Sequence, residues 1–512
     1  MASNSRRVQR KPAWPTQPVE EPDPPLRAGL PSFSELTFGF SAAEDESARA
    51  PRLLTDGYLD AHEASTRLLL GHDFLVLGYK GSGKSAISQH LRLKSDEAPD
   101  LFVKNVYLAD FPYEEFAQIN RDMPDAHSRY PTIWAWLILL FIVDSMSEDM
   151  GSKNRIKTDF SKMTSQLQKM GMIPSQKAPI LLRKTKSKKF SVGVKGFASA
   201  EVGDDDGVRE FTLSPVVERM SEIVCDFESE SDHIVIIDGL DDVLLGEPVQ
   251  TAALAALVLA VSRLNRRFAQ ESACCKVLLL CRTDLFESLP LPNSNKIRQD
   301  AAVSLDWYQN IAHPERTELI RLSNMKCRVY LEEELSDVDI FHEYFPRRLH
   351  GRNLLLALLD NTRHTPRDWL SLLRYLQGFS VDRERLSDKQ IKDGIRKYSI
   401  EYFLPEIRNE LCGFVDQTTV ALGLDLLTSF GRGQFHIAQL RDYCADDQRF
   451  VDFELERFLE RLFECSALGN MRETEGWSKP YFTFKYRNRS ASLNIREKVR
   501  IHHGLWKGLG LT

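Results

Sequence analysis

A glycine-rich stretch carries the clearest chemistry in this sequence. Residues 78–85 read GYKGSGKS and match the pattern GxxxxGK[ST]. The glycines of such a loop let consecutive backbone N–H groups turn inward onto phosphate oxygens, and the following helix adds its positive end. Lys84 is expected to reach the β- and γ-phosphates, and the Ser85 hydroxyl to ligate Mg²⁺. The predicted ATP-binding residues are Gly78, Tyr79, Lys80, Gly81, Ser82, Gly83, Lys84 and Ser85. The alternative is a turn that binds no nucleotide.

Carboxylates follow a second apolar strand, in the segment HIVIIDGLDD at 233–242. Asp238 at the end of that strand is expected to hold the Mg²⁺ shell, because such a carboxylate lies beside the phosphate loop in a parallel sheet. Asp241 or Asp242 is expected to orient the attacking water, and the sequence does not distinguish the two. An acidic loop after a core strand is the alternative interpretation.

Two arginines stand where they could sense phosphate. Arg282 follows the apolar strand KVLLLC and is expected to sense the γ-phosphate from the middle of the sheet. Arg367 lies in the first turn of a helix whose start is marked by Thr365-Pro366, where a cation opposes the helix dipole and a bound phosphate would offset that cost. A plain ion pair with a neighbouring acid is the alternative for each arginine.

The elements that must position these residues alternate between strand and helix along the first part of the chain. Alternation of this kind predicts an α/β fold with a parallel sheet covered by helices. The predicted strands are 74–77, 101–108, 233–238 and 276–281, and the predicted helices are 85–93, 132–146 and 251–268.

The chain divides by composition into four predicted parts. Residues 1–31 hold seven of the 23 prolines and predict a disordered tail. Residues 32–330 are expected to form the ATPase α/β domain, interrupted by a basic insertion at 150–212. Residues 331–384 are expected to form a helical lid. Residues 385–512 are expected to form a small, mostly α winged-helix-like domain, with helices at 416–430, 435–444 and 452–465 and a strand at 480–487.

Two basic segments could contact nucleic acid. From 153 to 195 there are twelve Lys or Arg against one acid, and from 485 to 507 there are seven against one. In the second segment, Lys485, Arg487 and Arg489 alternate with aromatic residues and are expected to share one face of a strand, like a wing. DNA contact through 183–195 and 485–507 is one expectation, and an ordinary solvated surface or a mobile loop is the other.

Composition favours a soluble cytoplasmic protein. The 512 residues are 42% hydrophobic, and the net charge of −6 excludes a protein that is basic throughout. The longest apolar run, at 133–143, is too short to span a membrane and predicts a buried helix. The opening residues lack the apolar stretch of a secretory signal.

The eight cysteines show no CxxC pair or zinc spacing, so reduced, mostly buried thiols are expected.

With its motifs in this order, the chain resembles bacterial P-loop ATPases of the STAND and AAA+ kind, with a NACHT- or KAP-like DGLDD segment. The resemblance covers about residues 36–380 and rests on FGFSAAEDE, GYKGSGKS, VIIDGLDD, LLLCRTDLF, VSLDW and TPRDWLSLL. It implies that Arg282 is a sensor-1 residue and Arg367 a sensor-2 residue. Position 239 is glycine where many AAA+ proteins carry a catalytic Glu, which shifts the catalytic role to Asp241 or Asp242 and implies slow hydrolysis.

These observations predict an ATP-driven conformational switch. The resemblance implies that it acts in bacterial signalling, DNA transactions or antiphage defence. A homo-oligomer or a separate effector protein is the expected partner, and no membrane is expected. A nucleotide-gated DNA-binding regulator with little or no hydrolysis is the alternative. A small-molecule kinase would share the glycine-rich loop, but the two arginines and the extra C-terminal domain argue against it.

Overall fold

The computed structural model describes residues 26–109, 111–119, 126–153, 158–174, 177–185, 213–240, 247–309, 313–473 and 480–511. The protein is mixed α/β, with one parallel sheet in its first part and a helix-rich second part.

Five parallel strands form the central sheet, in the order β2-β3-β4-β1-β5. They are β1 (Leu75–Gly78), β2 (Leu101–Tyr107), β3 (Asp232–Asp238), β4 (Cys275–Arg282) and β5 (Ala302–Ser304). The register pairs Gly78 with Arg282 and Tyr107 with Asp238. The carboxyl ends of the strands therefore meet at one edge, as the alternating pattern predicted, and β5 is a strand that the pattern did not predict.

Helices cover both faces of this sheet and pack against it through a single apolar core. Those described up to residue 301 are α1 (Ala43–Arg49), α2 (Arg52–Thr55), α3 (Ala64–Leu70), α4 (Lys84–Glu97), α5 (Tyr113–Ala117), α6 (Ala126–Glu148), α7 (Asp159–Lys169), α8 (Ala178–Thr185), α9 (Ser214–Cys225), α10 (Pro248–Gln270), α11 (Thr283–Ser288) and α12 (Ser294–Ala301).

Two of these helices, α6 and α10, are long and apolar enough to cross a membrane by length and composition. In α6 the apolar window is 83% buried inside the protein, and in α10 it is 50% buried. The two helices contact each other and strands of the sheet. This packing is consistent with a soluble protein, and α6 is the buried helix predicted at 132–146.

The middle of the chain is largely helical. It comprises α13 (Glu318–Arg328), α14 (Ile340–Tyr344), the short strands β6 (Arg348–Leu349) and β7 (Arg352–Asn353), α15 (Leu354–Leu359), α16 (Pro366–Gln377), α17 (Asp388–Tyr398) and α18 (Leu404–Cys412). A π-helical turn at Ser399–Phe403 joins α17 to α18. The Thr365 side chain accepts a hydrogen bond from the Asp368 N–H and caps α16, which confirms the predicted helix start.

The last hundred residues combine helices with a small antiparallel sheet of order β10-β9-β11-β8. The elements are α19 (Gln417–Phe430), β8 (Gln434–His436), α20 (Ile437–Asp446), α21 (Leu455–Glu464), β9 (Leu468–Arg472), β10 (Tyr481–Thr483), β11 (Lys498–Ile501) and α22 (His503–Trp506). The helices predicted at 416–430, 435–444 and 452–465 are confirmed. The predicted strand at 480–487 is wrong after Thr483, because a turn begins at Phe484, whose carbonyl oxygen accepts from the Arg487 N–H.

A second apolar core unites the middle of the chain, the C-terminal part and a segment near the N-terminus. Phe33 is fully buried and its ring lies 5.5 Å from that of Tyr344. Leu30 is buried as well, and Arg27 pairs with Asp337 at 2.6 Å. Residues 27–31 therefore pack on this core, whereas composition predicted a tail through residue 31. Residues 1–25 lie outside the described part of the chain.

All eight cysteines lie in the described residues, and none forms a disulfide. Five of them are buried and only Cys412 is exposed, which agrees with the expected reduced thiols.

Candidate functional site

The loop between β1 and α4 has the backbone shape that phosphate binding requires. Gly81 and Gly83 have φ angles of +78° and +96°, the left-handed region that favours glycine. A Cβ atom added at Gly83 would meet no atom within 4 Å, so that side of the loop is open. A Cβ atom at Gly78 would lie 2.2 Å from the Ser82 Oγ, so only glycine fits where the loop starts. The sequence motif thus forms a cradle with free space in front of it.

Lys84 and Ser85 begin the helix that follows this loop. The Lys84 side chain is buried, and its Nζ lies 3.3 Å from the carbonyl oxygen of Gly78 and 3.4 Å from that of Tyr79. The ammonium group therefore lies along the loop itself. The first N–H groups of α4 have no partner within their own helix and point toward the same loop. Lysine charge and helix dipole together favour an anion here.

Two groups from distant parts of the chain hold the loop in shape. The indole Nε1 of Trp307 donates to the carbonyl oxygen of Ser82 at 2.8 Å. The backbone N–H of Arg367 donates to the carbonyl oxygen of Gly81 at 3.2 Å. Both hydrogen bonds are accepted by carbonyl groups of the loop, so neither uses a loop N–H group. Within the loop itself, the N–H of Ser82 donates to the carbonyl oxygen of Tyr79 at 3.1 Å. Trp307 lies in the quoted VSLDW segment, but the sequence gave no reason to assign its indole to the loop.

A carboxylate from the C-terminal part also reaches this loop. Glu406 on α18 pairs with Lys80 at 3.0 Å and approaches the Arg367 guanidinium to 3.8 Å. Only 15% of the Glu406 side chain is exposed. A cation of the phosphate loop and the predicted sensor-2 arginine therefore share one negative partner. This matches the ion-pair alternative for Arg367, and no motif in the sequence pointed to Glu406.

The residues one turn before and one turn after Glu406 anchor the same helix to the start of α16. The Tyr402 hydroxyl donates to Asp368 at 3.0 Å, and Arg363 donates to Glu410 at 2.7 Å and to Asp368 at 2.9 Å. Burial raises the pKa of Glu410, whereas the Arg363 guanidinium outweighs burial and holds the pKa of Asp368 below its usual value. A buried charge network thus joins the two elements.

Asp238 ends β3, as predicted, and is buried. Its Oδ1 accepts from the N–H of Gly239 at 2.7 Å. Gly239 has a φ of +86°, and a Cβ atom there would lie 2.9 Å from the Ala109 backbone nitrogen. Glycine at this position is therefore imposed by the backbone, and a glutamate could not replace it without a shift of residues 108 and 109, which follow β2. Asp241 and Asp242 lie outside the described residues.

Arg282 ends β4 and lies beside Gly78 in the sheet. Its guanidinium binds Asp284 through two hydrogen bonds, of 3.0 and 2.5 Å. The side chain lines a small cavity with Lys80, Glu410 and other residues of the C-terminal part, and it is not among the residues that line the cleft in front of Lys84. This geometry matches the predicted ion-pair alternative, and the sensor-1 role stays a prediction.

A cleft opens in front of the loop, between α4, the N-terminal segment and α16. It contains about 1070 Å³ of space free of atoms, including its open mouth. Its floor carries Gly81, Ser82, Gly83, Lys84 and Ser85, and Arg367 lies on its rim. Its other walls are mainly apolar and include Phe40, Tyr58, Leu305, Trp307 and Leu370. An apolar chamber that ends in a phosphate cradle suits a nucleotide.

The N-terminal wall of this cleft is tied to α16. The Arg374 guanidinium donates to the Gly39 carbonyl oxygen and to the Ser41 Oγ, each at 2.8 Å. The buried Glu46 accepts from the Phe40 N–H at 2.8 Å and pairs with Lys326 of α13. The FGFSAAEDE segment, quoted only for its resemblance, thus forms a wall of the site.

The three cations of the predicted wing are engaged inside the protein, whereas Arg496 and Lys507 of the same segment are exposed. Lys485 pairs with Glu464 at 3.2 Å, Arg487 with Asp360 at 3.8 Å and Arg489 with Asp306 at 3.5 Å, and each side chain is at most 15% exposed. The expected exposed basic face on one strand is therefore wrong. In the other segment, Arg183 pairs with Glu115 at 3.1 Å, and residues 186–195 lie outside the described part.

The predicted Mg²⁺ ligands, Ser85 and Asp238, are hydroxyl and carboxylate oxygens of the kind that Mg²⁺ prefers, and phosphate oxygens would complete such a shell. Across the described residues there is no group of three or more His, Cys, Asp and Glu side chains placed to hold a metal by themselves.

Comparison with known proteins adds no relative. No protein-family model matches the chain, and no curated protein is significantly similar to it.

Proposed function

We propose that this protein binds and hydrolyses Mg·ATP at the β1–α4 loop and acts as a nucleotide-dependent switch. The observation that carries the proposal is the shape of the loop. The space in front of Gly83 is open, and the buried Lys84 lies at the base of the loop. A strand that ends in Asp238 lies in the same sheet. An apolar chamber leads to the loop, with a lining that suits a nucleoside.

The residues take the following roles in this proposal. Backbone N–H groups of 79–85 bind phosphate oxygens, and Lys84 leaves the carbonyls of Gly78 and Tyr79 to neutralise the β- and γ-phosphates. Ser85 and Asp238 hold Mg²⁺, which supplies charge neutralisation on the transferred phosphoryl group. Asp241 or Asp242 orients the attacking water. Arg282 must leave Asp284, and Arg367 must leave Glu406, before either contacts phosphate.

The switch element in this proposal is the contact between the loop and α18. Phosphate groups and the Glu406 carboxylate are both negative, so they compete for Lys80 and Arg367. ATP therefore weakens the attachment of α18, and the C-terminal part responds. The middle helices serve as a lid and the C-terminal part as a winged-helix-like domain, in a cytoplasmic ATPase of the STAND or AAA+ kind. Bacterial signalling, DNA transactions or antiphage defence, with a homo-oligomer or an effector partner, suits such a switch.

Phosphate release from ATP by the full chain, with Mg²⁺ or with EDTA, tests the proposal. We expect slow Mg²⁺-dependent hydrolysis. Asp238→Asn should retain ATP binding but lose most hydrolysis, whereas the exposed Asp442→Asn should behave as wild type. ATP binding without hydrolysis under any condition would favour the nucleotide-gated DNA-binding regulator instead. Wild-type hydrolysis in Asp238→Asn would remove the proposed metal role.

A further inference from the structure

A second cleft opens at the opposite edge of the parallel sheet from the phosphate loop. The C-terminal half of α10 forms one wall, α12 forms another, and the start of β4 forms part of its floor. It contains about 2150 Å³ of space free of atoms, including its open mouth. Because β1 and β4 are parallel and end together at Gly78 and Arg282, Lys276 near the start of β4 lies far from the nucleotide site. No described residue of either predicted basic segment lines it.

This cleft is strongly positive, although the whole chain has a net charge of −6. Four cations line it, against the single carboxylate of Asp300, a net of +3 with His72 neutral. The four cations are Arg263, Arg266, Lys276 and Lys296. A concave surface that carries one sign of charge concentrates counter-ions of the other sign.

Three of these cations stand without a negative partner. Arg263, Arg266 and Lys296 are exposed and form no ion pair within the described residues. Their sequence neighbours do pair, Arg267 with Glu218 at 2.8 Å and Arg298 with Glu287 at 3.0 Å. Charges on the sides of α10 and α12 that face away from the cleft are thus compensated, while those that face it are left for a ligand.

Lys276 has a structural role as well as a charge. Its Nζ donates to the carbonyl oxygens of Leu68 and Gly71, each at 2.7 Å, and so caps the end of α3. Burial lowers its pKa to about 8, which leaves it mostly protonated at neutral pH. It adds positive potential at the floor of the cleft, and two of its three N–H donors are already used.

The lining indicates which kind of anion fits. Phe74 and Phe268 of the lining are 5% and 2% exposed, so they offer no surface to a ligand, whereas the imidazole of His72 in the same lining is exposed. Protein partners draw most of their binding energy from aromatic or apolar anchors, and single-stranded nucleic acids from base stacking. A duplex backbone needs neither, because its affinity comes chiefly from phosphate neutralisation. Arg263 and Arg266 lie one helical turn apart, on the same face of α10.

We propose that this cleft binds the phosphodiester backbone of a nucleic-acid duplex. Arg263 and Arg266 contact successive phosphates from the α10 wall, and Lys296 contacts the backbone from the α12 wall. The contact is independent of base sequence, since phosphate contacts carry no sequence information. The cleft lies away from the nucleotide site, so duplex binding can be tested independently of ATP hydrolysis.

Fluorescence anisotropy of a labelled random-sequence DNA duplex of about 30 base pairs, titrated with the full chain over a range of salt concentrations, tests it. We expect wild type to bind at low salt and weaken as salt rises. Arg263→Glu/Arg266→Glu should weaken binding at least about tenfold and reduce the slope of log K against log salt by about two. Arg263→Gln/Arg266→Gln should show a smaller loss of affinity in the same direction.

A charge-matched control separates a local site from a general electrostatic effect. Arg321 and Arg396 are exposed, lie outside this cleft and form no ion pair within the described residues. Arg321→Glu/Arg396→Glu therefore changes net charge equally and should bind DNA nearly as wild type does. Thermal unfolding and ATP hydrolysis should be unchanged in both double variants.

Two outcomes would overturn the proposal. One is the absence of duplex binding by wild type at low salt, and the other is an equal loss in the two double variants. A titration with a polyglutamate peptide tests whether the cleft binds an acidic polypeptide instead. If it binds wild type and loses affinity in Arg263→Glu/Arg266→Glu while the duplex does not bind, the occupant is an acidic polypeptide and the nucleic-acid assignment is wrong.

Discussion

The backbone N–H of Arg367 donates a hydrogen bond to the carbonyl oxygen of Gly81. The first turn of α16 thus rests directly on the phosphate loop, and the Arg367 Cβ lies 2.8 Å from where a Cβ of Gly81 would stand. Neither element can move without disturbing the other. The loop that binds phosphate and the helix that closes the cleft are therefore mechanically joined before any ligand arrives.

Gly81→Ala should break this relationship. The new methyl group collides with Arg367, and the φ of +78° adds a strain of about 1 to 2 kcal/mol for a non-glycine residue. We expect a loss of about 2 kcal/mol or more in the free energy of unfolding and at least tenfold weaker ATP binding, measured by denaturant unfolding and calorimetry.

Gly351→Ala is the matched control for that variant. Gly351 has a φ of +77°, but a Cβ there meets nothing within 4 Å, so the backbone strain is the same and the collision is absent. ATP affinity should stay at the wild-type value. Equal ATP affinity in the two variants would contradict the proposed junction between loop and helix.

Trp307→Phe should weaken nucleotide binding by removing one hydrogen bond from the loop. The indole bond to the Ser82 carbonyl oxygen is buried, and such a bond contributes about 1 kcal/mol. We expect ATP affinity to fall about fivefold. Trp134→Phe removes an equivalent 2.8 Å bond, to the Ala253 carbonyl oxygen, away from the site. That control should lose similar stability but keep ATP affinity, and a fall in its affinity would speak against a specific role for Trp307.

Glu406→Gln should make ATP bind more tightly. The carboxylate competes with phosphate for Lys80 and Arg367, so its neutralisation removes a competitor worth about 1 kcal/mol in a partly buried pair. We expect about three- to tenfold higher affinity and faster amide hydrogen exchange in α18. Glu401→Gln, at an exposed carboxylate that pairs with Lys397 at 4.0 Å, is the control. Unchanged affinity and exchange in Glu406→Gln would exclude the competition.

Stability should decline in mild acid because of buried neutral histidines. Burial, with Arg487 nearby, lowers the pKa of His364 to about 3, and burial lowers that of His233 to about 4. An unfolded histidine titrates near 6.5, so each group contributes stability that is complete above that pH and is lost as pH falls toward its folded pKa. The expected slope is about 1.4 kcal/mol per pH unit for each histidine.

Denaturant unfolding between pH 7 and pH 4 measures this slope. His364→Asn should reduce the slope of unfolding free energy against pH by the contribution of one histidine, because asparagine does not titrate. Asparagine also tolerates the φ of +54° at this position. A His364→Asn slope equal to that of wild type would show that this histidine is already protonated in the folded protein.

The phosphate loop was predictable from sequence because its parts are local. An apolar strand, glycines in a fixed pattern and a helix start lie within about twenty consecutive residues, and each has its own short-range signal. The same reasoning placed Asp238 and Arg282 at strand ends that meet at one edge of the sheet. The cap of α16 at Thr365 was likewise visible in its sequence.

The contacts that Trp307 and Glu406 make with the phosphate loop were not predictable from sequence, because they depend on packing between distant segments. Trp307 and Ser82 are 225 residues apart, and Glu406 meets Lys80 only because α18 docks beside the loop. The prediction of an exposed basic face on the strand at 480–487 was wrong for a related reason. Alternation of Lys485, Arg487 and Arg489 fits a strand, but their charges found internal partners and the chain turned at Phe484. The spacing of charged residues in a sequence predicts which of them lie on the same face of a strand. Whether that face is exposed or buried depends on how the strand packs in the folded protein.

Calorimetric titration of the full chain with Mg·ATP, comparing wild type with Lys84→Ala, tests the central claim most directly. Lys84 is the one side-chain cation at the floor of the loop, so its removal should weaken binding at least about tenfold and abolish hydrolysis. The exposed Lys392→Ala should match wild type. Wild type that binds no ATP, or a Lys84→Ala protein that binds and hydrolyses it normally, would contradict the assignment of this loop as an ATP site.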